Sequence, residues 1–166
     1  MAIEHDFFGL LESGPDGSIF WSETVEFGDQ SVTVDLTAPD ENDVAPDALN
    51  IAAAMITGLE HLDLRCREAM VGQLGDRTSE VTEYVVSQEE SLGDELEDYL
   101  TDVSGDTAID IIKALRLMSV TILADEHGGS DPFAVLEYAL DADSTDDVLL
   151  VNLASDASVL SVTSAD

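Results

Sequence analysis

Basic residues are scarce in this chain, which has five Lys and Arg against 37 Asp and Glu and a formal net charge of −32. Phosphate backbones and anionic lipid surfaces are bound through clustered Lys and Arg, and this sequence has no such cluster. Nucleic acids and membranes are therefore not expected as partners. A basic protein is the macromolecular partner that the charge favours.

Cysteine and long apolar runs are scarce as well. The single Cys66 excludes an intrachain disulfide, so nothing in the sequence depends on an oxidising compartment. No apolar stretch approaches the roughly 20 residues of a membrane span. The opening residues, MAIEHDFFGL, lack the basic region and apolar run of a signal peptide. We therefore expect a cytoplasmic location.

The acidity has two explanations. The carboxylates could form a solvated surface suited to a salty cytoplasm, since the Debye length falls to about 3 Å at 1 M salt. They could instead form an acidic face that steers a basic protein partner. The acids are spread along the whole chain rather than gathered in one block, which favours the first explanation.

The length and the apolar content predict one folded domain over residues 1–166. Hydrophobic residues make up 45% of the 166 residues, too many for a disordered acidic tail. A chain of this size can bury one sizeable core. The oligomeric state does not follow from these numbers.

The first forty residues alternate apolar and polar side chains as β-strands do. A short apolar run at 7–12 precedes the turn residues 13–17. The alternating apolar positions that follow are Ile19, Trp21, Val25 and Phe27, then Val32, Val34 and Leu36. Gly28-Asp29 fits a two-residue hairpin turn between them. The pattern predicts a three-stranded antiparallel opening, with Trp21 in the core.

The middle of the chain has helical spacing. A helix is expected from Pro46, which suits a first helical turn. The apolar stripes are Leu49, Ala52, Ala53, Ile56 and Leu59, then Cys66, Met70 and Leu74, then Val81, Tyr84, Val85, Leu92, Leu96, Tyr99 and Leu100. Gly75 is expected to stop the second stripe and Gly93 to divide the third. Asp106 is a candidate cap for a further helix.

After that helix, apolar residues again occupy every second position, as in a β-strand. Met118, Val120, Ile122 and Ala124 are expected on one strand face, and 133–140, 147–153 and 159–163 have strand patterns. Strands at both ends with helices between them predict an α+β domain. Its largely antiparallel sheet would combine the N-terminal and C-terminal strands, with the central helical segment packed on one face.

Four stretches carry a family resemblance: FFG at 7–9, VEFGDQSVTVDLT, ALRLMSVTIL and LEYALDADSTDDVLLVNL. They resemble the uncharacterised bacterial family catalogued as domain of unknown function 2004. In that family a strand ending in an acid and Tyr, here Glu137-Tyr138, precedes a turn with Thr-Asp, here Thr145-Asp146, and a Leu/Val strand. The resemblance implies a stand-alone intracellular domain and brings no activity with it.

The densest group of potential metal ligands is Asp125, Glu126, His127 and Asp131. Carboxylates and imidazole there could bind a divalent metal, but the spacing matches no zinc motif, and a solvated loop is the preferred interpretation. Residues 141–147 begin like an EF-hand loop. The sharp-turn position is Asp146 instead of Gly and the twelfth is Asn152 instead of Glu, so a strand-to-strand turn is expected.

The sequence contains no motif that is typical of nucleophilic catalysis. Cys66 shares an apolar stripe with Met70, which predicts a buried structural cysteine. His61 lies five positions earlier and should point in another direction. We therefore expect no cofactor, no catalytic residue and no tight metal site. The leading hypothesis is a non-enzymatic cytoplasmic domain that binds a protein through an acidic surface. The alternatives are a small-molecule or metal-dependent enzyme using the acids at 125–131, and an acidic inhibitor or immunity-like protein.

Overall fold

The computed structural model describes residues 2–28, 30–40, 42, 44, 46–101, 103–124, 132–140 and 148–165. The first strands are β1 (Ala2–His5), β2 (Gly9–Glu12), β3 (Ile19–Phe27) and β4 (Gln30–Ala38). The helices follow as α1 (Pro46–Thr57), α2 (Leu59–Gln73), α3 (Glu80–Leu92), a 3₁₀ helix (Gly93–Tyr99) and α4 (Thr107–Ala114). The last strands are β5 (Arg116–Leu123), β6 (Ala134–Ala139), β7 (Val148–Leu153) and β8 (Val159–Ala165).

Strands β3 to β8 form one six-stranded sheet whose spatial order is the order along the chain. Strands β4 and β5 are parallel, and every other pair of neighbours is antiparallel. Parallel neighbours need a long crossover, and this one contains every helix that the structure describes. The α+β prediction is therefore confirmed, with N-terminal and C-terminal strands in one largely antiparallel sheet.

The two faces of the sheet differ in burial. On the inner face the side chains of Val34, Val120, Leu136 and Val151 are fully buried. Two hydroxyl contacts join this face to the helices: Tyr138 Oη donates to Asp63 on α2 at 2.7 Å, and Tyr84 Oη on α3 accepts from the Leu140 amide at 3.1 Å. The outer face is open and carries half-buried side chains, the usual state of an antiparallel sheet with solvent on one side.

The N-terminal hairpin corrects one sequence prediction. Strand β2 pairs with β1 in a separate two-stranded sheet and meets β3 through the isolated bridge between Ser13 and Ile19, so the three-stranded opening is wrong. The sequence of β1 is too short to show alternation. The hairpin buries Phe8, whose ring meets the half-buried Trp21 edge to face with centroids 4.8 Å apart. Trp21 therefore lies at the margin of the core rather than within it.

A β-bulge corrects a second prediction. The pairing of β5 with β6 shifts register between Leu117 and Ser119. An extra residue at a bulge moves the following side chains to the other face. Leu117 is therefore buried together with Val120 and Ile122, whereas Met118 is only half-buried and does not share their face.

The helix boundaries follow local chemistry. Ser79 caps α3 by accepting from the Thr82 amide at 3.2 Å, and Asp106 caps α4 by accepting from the Ile109 amide at 3.3 Å, as expected for Asp106. Gly93 has a φ of 53° and separates α3 from the 3₁₀ helix, which confirms the predicted division. None of the described helices is both long enough and apolar enough to cross a membrane.

Candidate functional site

The loops singled out from the sequence for metal chemistry lie outside the described residues. This applies to Asp125, Glu126, His127 and Asp131, and equally to the turn at 141–147. Within the described part of the chain, no group of three or more His, Cys, Asp or Glu side chains is arranged to hold a metal ion.

Cys66 is buried as predicted and faces away from His61. Its side chain has no solvent exposure, whereas His61 on the same helix is exposed. Burial raises the pKa of the Cys66 thiol to about 12. A thiol with such a pKa stays protonated at neutral pH and is a poor nucleophile. Cys66 is therefore a packing residue of α2.

Next to Cys66, an ion pair joins α2 to α4 and β6. Arg67 Nε donates to both carboxylate oxygens of Asp63, at 3.1 and 3.0 Å. Its Nη1 and Nη2 donate to the carbonyl oxygens of Ile112 and Leu115, both at 2.7 Å, and its guanidinium lies 5.3 Å from the Tyr138 ring centroid. Arg67 thereby donates to two carbonyls at the C-terminal end of α4, where helical hydrogen bonding runs out; the Ile112 carbonyl also accepts from the Leu115 amide at 3.4 Å.

This ion pair is the only one that the described residues make with one another. The Arg67 and Asp63 side chains are 20% and 13% exposed, so they are largely removed from solvent. Burial raises the pKa of Tyr138, which therefore stays protonated and keeps donating to Asp63. The hydrogen bonds of this group join α2 to the end of α4 and to β6, which is a structural role.

Exposed carboxylates concentrate on α3 and the 3₁₀ helix. We call this surface the acidic face; its members are Glu83, Glu89, Glu90, Asp94, Glu95, Glu97 and Asp98, all exposed. Between Arg77 and Lys113 the sequence contains 11 Asp and Glu and no Lys, Arg or His. Among the described residues, no Lys or Arg forms an ion pair with any of these carboxylates. Because α3 packs its apolar stripe on β7 and β8, the acids occupy its outer side.

A groove of about 450 Å³ runs beside the acidic face, between the 3₁₀ helix and the start of α4. Asp94 and Glu97 line it from the acidic face, and Leu96, Leu100 and Val103 supply apolar surface. Val103 is 66% exposed. The groove thus places apolar contact surface beside a polar rim, which is the layout found at protein interfaces.

A buried carboxylate fixes one wall of this groove. Asp110 on α4 is 1% exposed and accepts from the Ser104 amide at 2.8 Å and from the Ser104 hydroxyl at 2.7 Å. The Ser104 hydroxyl in turn accepts from the Asp106 amide at 3.3 Å. These bonds hold residues 103–106 against α4, so Val103 is presented from an ordered segment.

Three aspartates in exposed turns have lowered pKa values. Hydrogen bonds from the hydroxyl and then the amide of Ser18 lower the pKa of Asp16, and those of Thr78 do the same for Asp76. Asp156 follows the same pattern with Ser158, and Arg65 adds a smaller favourable charge interaction. These shifts stabilise turns, and they are not the raised carboxyl pKa expected of a catalytic acid.

The sequence contained a signal for the acidic face that the overall spread of acids concealed. The signal is the basic-free stretch from 78 to 112, in which no Lys or Arg interrupts the 11 acids. The groove had no comparable signal, because it requires the 3₁₀ helix and α4 to be brought side by side.

Comparison of the chain with known protein families, with curated proteins and with solved structures finds no match in any of the three. The resemblance to domain of unknown function 2004 stays a prediction.

Proposed function

We propose that this protein is a non-enzymatic cytoplasmic domain that binds a basic protein through the acidic face and the adjoining groove. The observation that supports it best is the set of seven exposed carboxylates, none of which forms an ion pair with a described Lys or Arg, next to an exposed Val103. Val86 on α3 is 45% exposed and lies three positions after Glu83 and four before Glu90, so apolar contact surface continues into the face.

Charge and apolar surface have different roles in this binding. The uncompensated carboxylates attract a basic surface over a distance and raise the association rate. Exposed ion pairs contribute little affinity each, commonly about 0.2–1 kcal/mol. The apolar groove supplies the desolvated contacts from which most affinity at interfaces arises. The favoured partner therefore presents Lys or Arg beside an apolar side chain.

A second candidate is an acidic inhibitor or immunity-like protein, which also fits a concentrated acidic surface. It differs in what binding does: an inhibitor covers the active site of a basic enzyme, so binding abolishes that enzyme's activity. The enzyme hypothesis rests on the acids at 125–131, which lie outside the described residues. The lowered carboxyl pKa values of Asp16, Asp76 and Asp156 belong to turns and add nothing to it.

The test uses a defined probe and two variants of equal charge. The probe is a synthetic helical peptide with Lys and Leu at helical spacing, compared with a Lys peptide of the same charge without Leu. One variant neutralises Glu89, Glu90, Asp94 and Glu97 to the corresponding amides. The control neutralises four exposed acids elsewhere, Glu12, Glu23, Glu26 and Glu68. Each raises the net charge from −32 to −28, because four negative charges are removed.

We expect the acidic-face variant to bind the Lys/Leu peptide about tenfold more weakly in calorimetric titrations, as four exposed pairs of about 0.3–0.5 kcal/mol imply. The control variant should bind the Lys/Leu peptide about as tightly as the parent protein does. The peptide without Leu should bind the parent protein more weakly than the Lys/Leu peptide does. Equal losses in both variants would show that net charge alone attracts the peptide, and the proposal would fail. Pull-downs from native cytoplasm at low and high salt, with both variants, then identify the partner.

A further inference from the structure

A second cavity, remote from the acidic face in sequence, lies where α1 meets α2. Its volume is about 430 Å³, within the range usual for small-molecule sites. Ile51, Met55 and Leu62 give it an apolar lining from the two helices, and the turn between β7 and β8 closes another side with Asp156 and Ala157. The pocket is therefore built from parts of the chain about ninety residues apart in the sequence.

The rim carries charges of both signs. His61 and Arg65 lie four positions apart, on the same side of α2, and both line the pocket. Neither forms a hydrogen bond or ion pair with another residue that the structure describes. Arg65 is one of only five Lys and Arg in the chain, so a cation at an apolar pocket is a rare feature of this molecule.

Asp156 supplies the negative charge of the rim with one oxygen still available. Its Oδ1 accepts both from the Ser158 amide at 2.9 Å and from the Ser158 hydroxyl at 2.6 Å. Its Oδ2 has no hydrogen bond with another described residue, and Asp156 forms no ion pair with Arg65. The rim thus places a guanidinium and a carboxylate of opposite charge above one apolar lining; Arg65 attracts Asp156 electrostatically, but among the described residues the two form no direct ion pair.

We propose that this pocket binds a free amino acid with an apolar side chain. Arg65, with His61 beside it, binds the α-carboxylate, Asp156 Oδ2 accepts from the α-ammonium, and the side chain packs on Ile51 and Met55. The net charge of the protein supports a zwitterion over a simple anion. A molecule of zero net charge is not repelled by a protein of −32, whereas an anion is.

The experiment compares three ligands that differ by one charge. L-phenylalanine carries both charges, N-acetyl-L-phenylalanine lacks the ammonium, and L-phenylalaninamide lacks the carboxylate. Binding is followed by NMR through the methyl groups of Ile51, Met55 and Ala157. We expect phenylalanine to bind with a Kd of about 1 mM or tighter, given the binding efficiency per atom usual for ligands and its twelve or so heavy atoms. Each derivative should bind at least about tenfold more weakly, since each loses a charged hydrogen bond.

The comparison of phenylalanine with phenylalaninamide tests the proposal more strictly than the comparison with the N-acetyl derivative. Phenylalaninamide is a cation, and a protein of charge −32 attracts cations everywhere on its surface. If general attraction governed binding, the amide would bind at least as tightly as phenylalanine, which would overturn the proposal. The absence of saturable shifts at the three methyl groups at about tenfold the expected Kd would overturn it as well.

Variants assign each charge to its partner. In Arg65→Gln the preference for phenylalanine over its amide should disappear, and in Asp156→Asn the preference over the N-acetyl derivative should disappear. The control for Arg65→Gln is Arg77→Gln, because Arg77 is an exposed arginine outside the pocket. The control for Asp156→Asn is Asp16→Asn, because Asp16 accepts from Ser18 in the same way as Asp156 accepts from Ser158. Each preference is a ratio measured on one variant, so a change in folded fraction cancels. Preferences retained in both pocket variants would refute the assignment.

Discussion

Two hairpin turns of this protein have the same hydrogen bonds and different residues at their most constrained position. In the turn at 14–18, the Gly14 amide donates to the Ser18 carbonyl at 2.8 Å and the Gly17 amide to the Gly14 carbonyl at 3.0 Å. In the turn at 154–158, both equivalent bonds are 2.9 Å. The fourth residue is left-handed in both, with φ of 83° at Gly17 and 68° at Ala157. Among the described residues other than glycine, Ala157 alone has a positive φ.

This comparison predicts that Ala157→Gly stabilises the protein. An L-residue with a side chain costs about 1–2 kcal/mol in the left-handed region. Glycine removes that cost and adds about 0.5–1 kcal/mol of unfolded-chain entropy. The net gain in the free energy of unfolding is about 0.5–1 kcal/mol, which raises the Tm of a domain of this size by roughly 1–4 °C. The reciprocal change, Gly17→Ala, should lower the free energy of unfolding by a similar amount. The loss should come from the positive φ alone, because a Cβ at Gly17 meets no atom within 4 Å.

Urea titrations of the parent, both single variants and the double variant measure this directly. The turns are separate in the structure, so the double variant should return close to the parent value. Ala154→Gly is the control, since Ala154 lies in the same turn without a positive φ and its replacement should only destabilise. A loss of stability in Ala157→Gly, or none in Gly17→Ala, would refute the argument from backbone conformation.

Three further predictions concern the core and the charge. Arg67→Ala should lower the free energy of unfolding by about 3–5 kcal/mol, because it leaves Asp63 largely buried without its cation and removes the cap of α4; denaturant titration should show no comparable loss in Arg77→Ala. Trp21→Ala should lower the free energy of unfolding by about 2–3 kcal/mol, which is less than the loss at a fully buried Trp. Phe20→Ala should change it by under about 0.5 kcal/mol, because Phe20 is 66% exposed. Equal melting temperatures for the two variants would contradict the placement of Trp21. The Tm should rise from low salt to ~1 M NaCl, because ions screen the self-repulsion of a charge of −32; a flat or falling Tm would show that repulsion does not limit this fold.

The sequence predicted the elements well where periodicity is strong. Val32, Val34 and Leu36 alternate and are buried in β4, and Gly93 divides its helical stripe as expected. It failed where a single residue changes the register, as at the bulge before Ser119, because periodicity cannot show an inserted residue. It also failed for the short strand β1, whose pairing with β2 depends on packing against the rest of the chain.

The sites were harder to predict than the fold, for a physical reason. Sequence analysis singles out residues that are dense along the chain, such as the acids at 125–131. The pocket between α1 and α2 combines Arg65 on α2 with Asp156 in the turn between β7 and β8, and only the crossover from β4 to β5 and the ordered sheet bring them together. The acidic face is local in sequence, and the absence of basic residues marks it better than the presence of acids does.

Salt separates the two explanations of the acidity, because it acts on them in opposite directions. If self-repulsion dominates, screening stabilises the folded state and the Tm rises with salt. If the acidic face binds a basic partner, the same screening weakens the attraction and the Kd rises with salt. At about 1 M salt the Debye length is near 3 Å, so steering over a distance vanishes and only direct contacts remain. In so salty an environment the protein would have to bind its partner through the groove at Val103. We therefore expect that, at about 1 M salt, Val103→Ser weakens binding of the Lys/Leu peptide more than the acidic-face variant does. If the neutralised face remained the more damaging change at 1 M salt, the carboxylates would be making direct pairs with the peptide and would not act by steering.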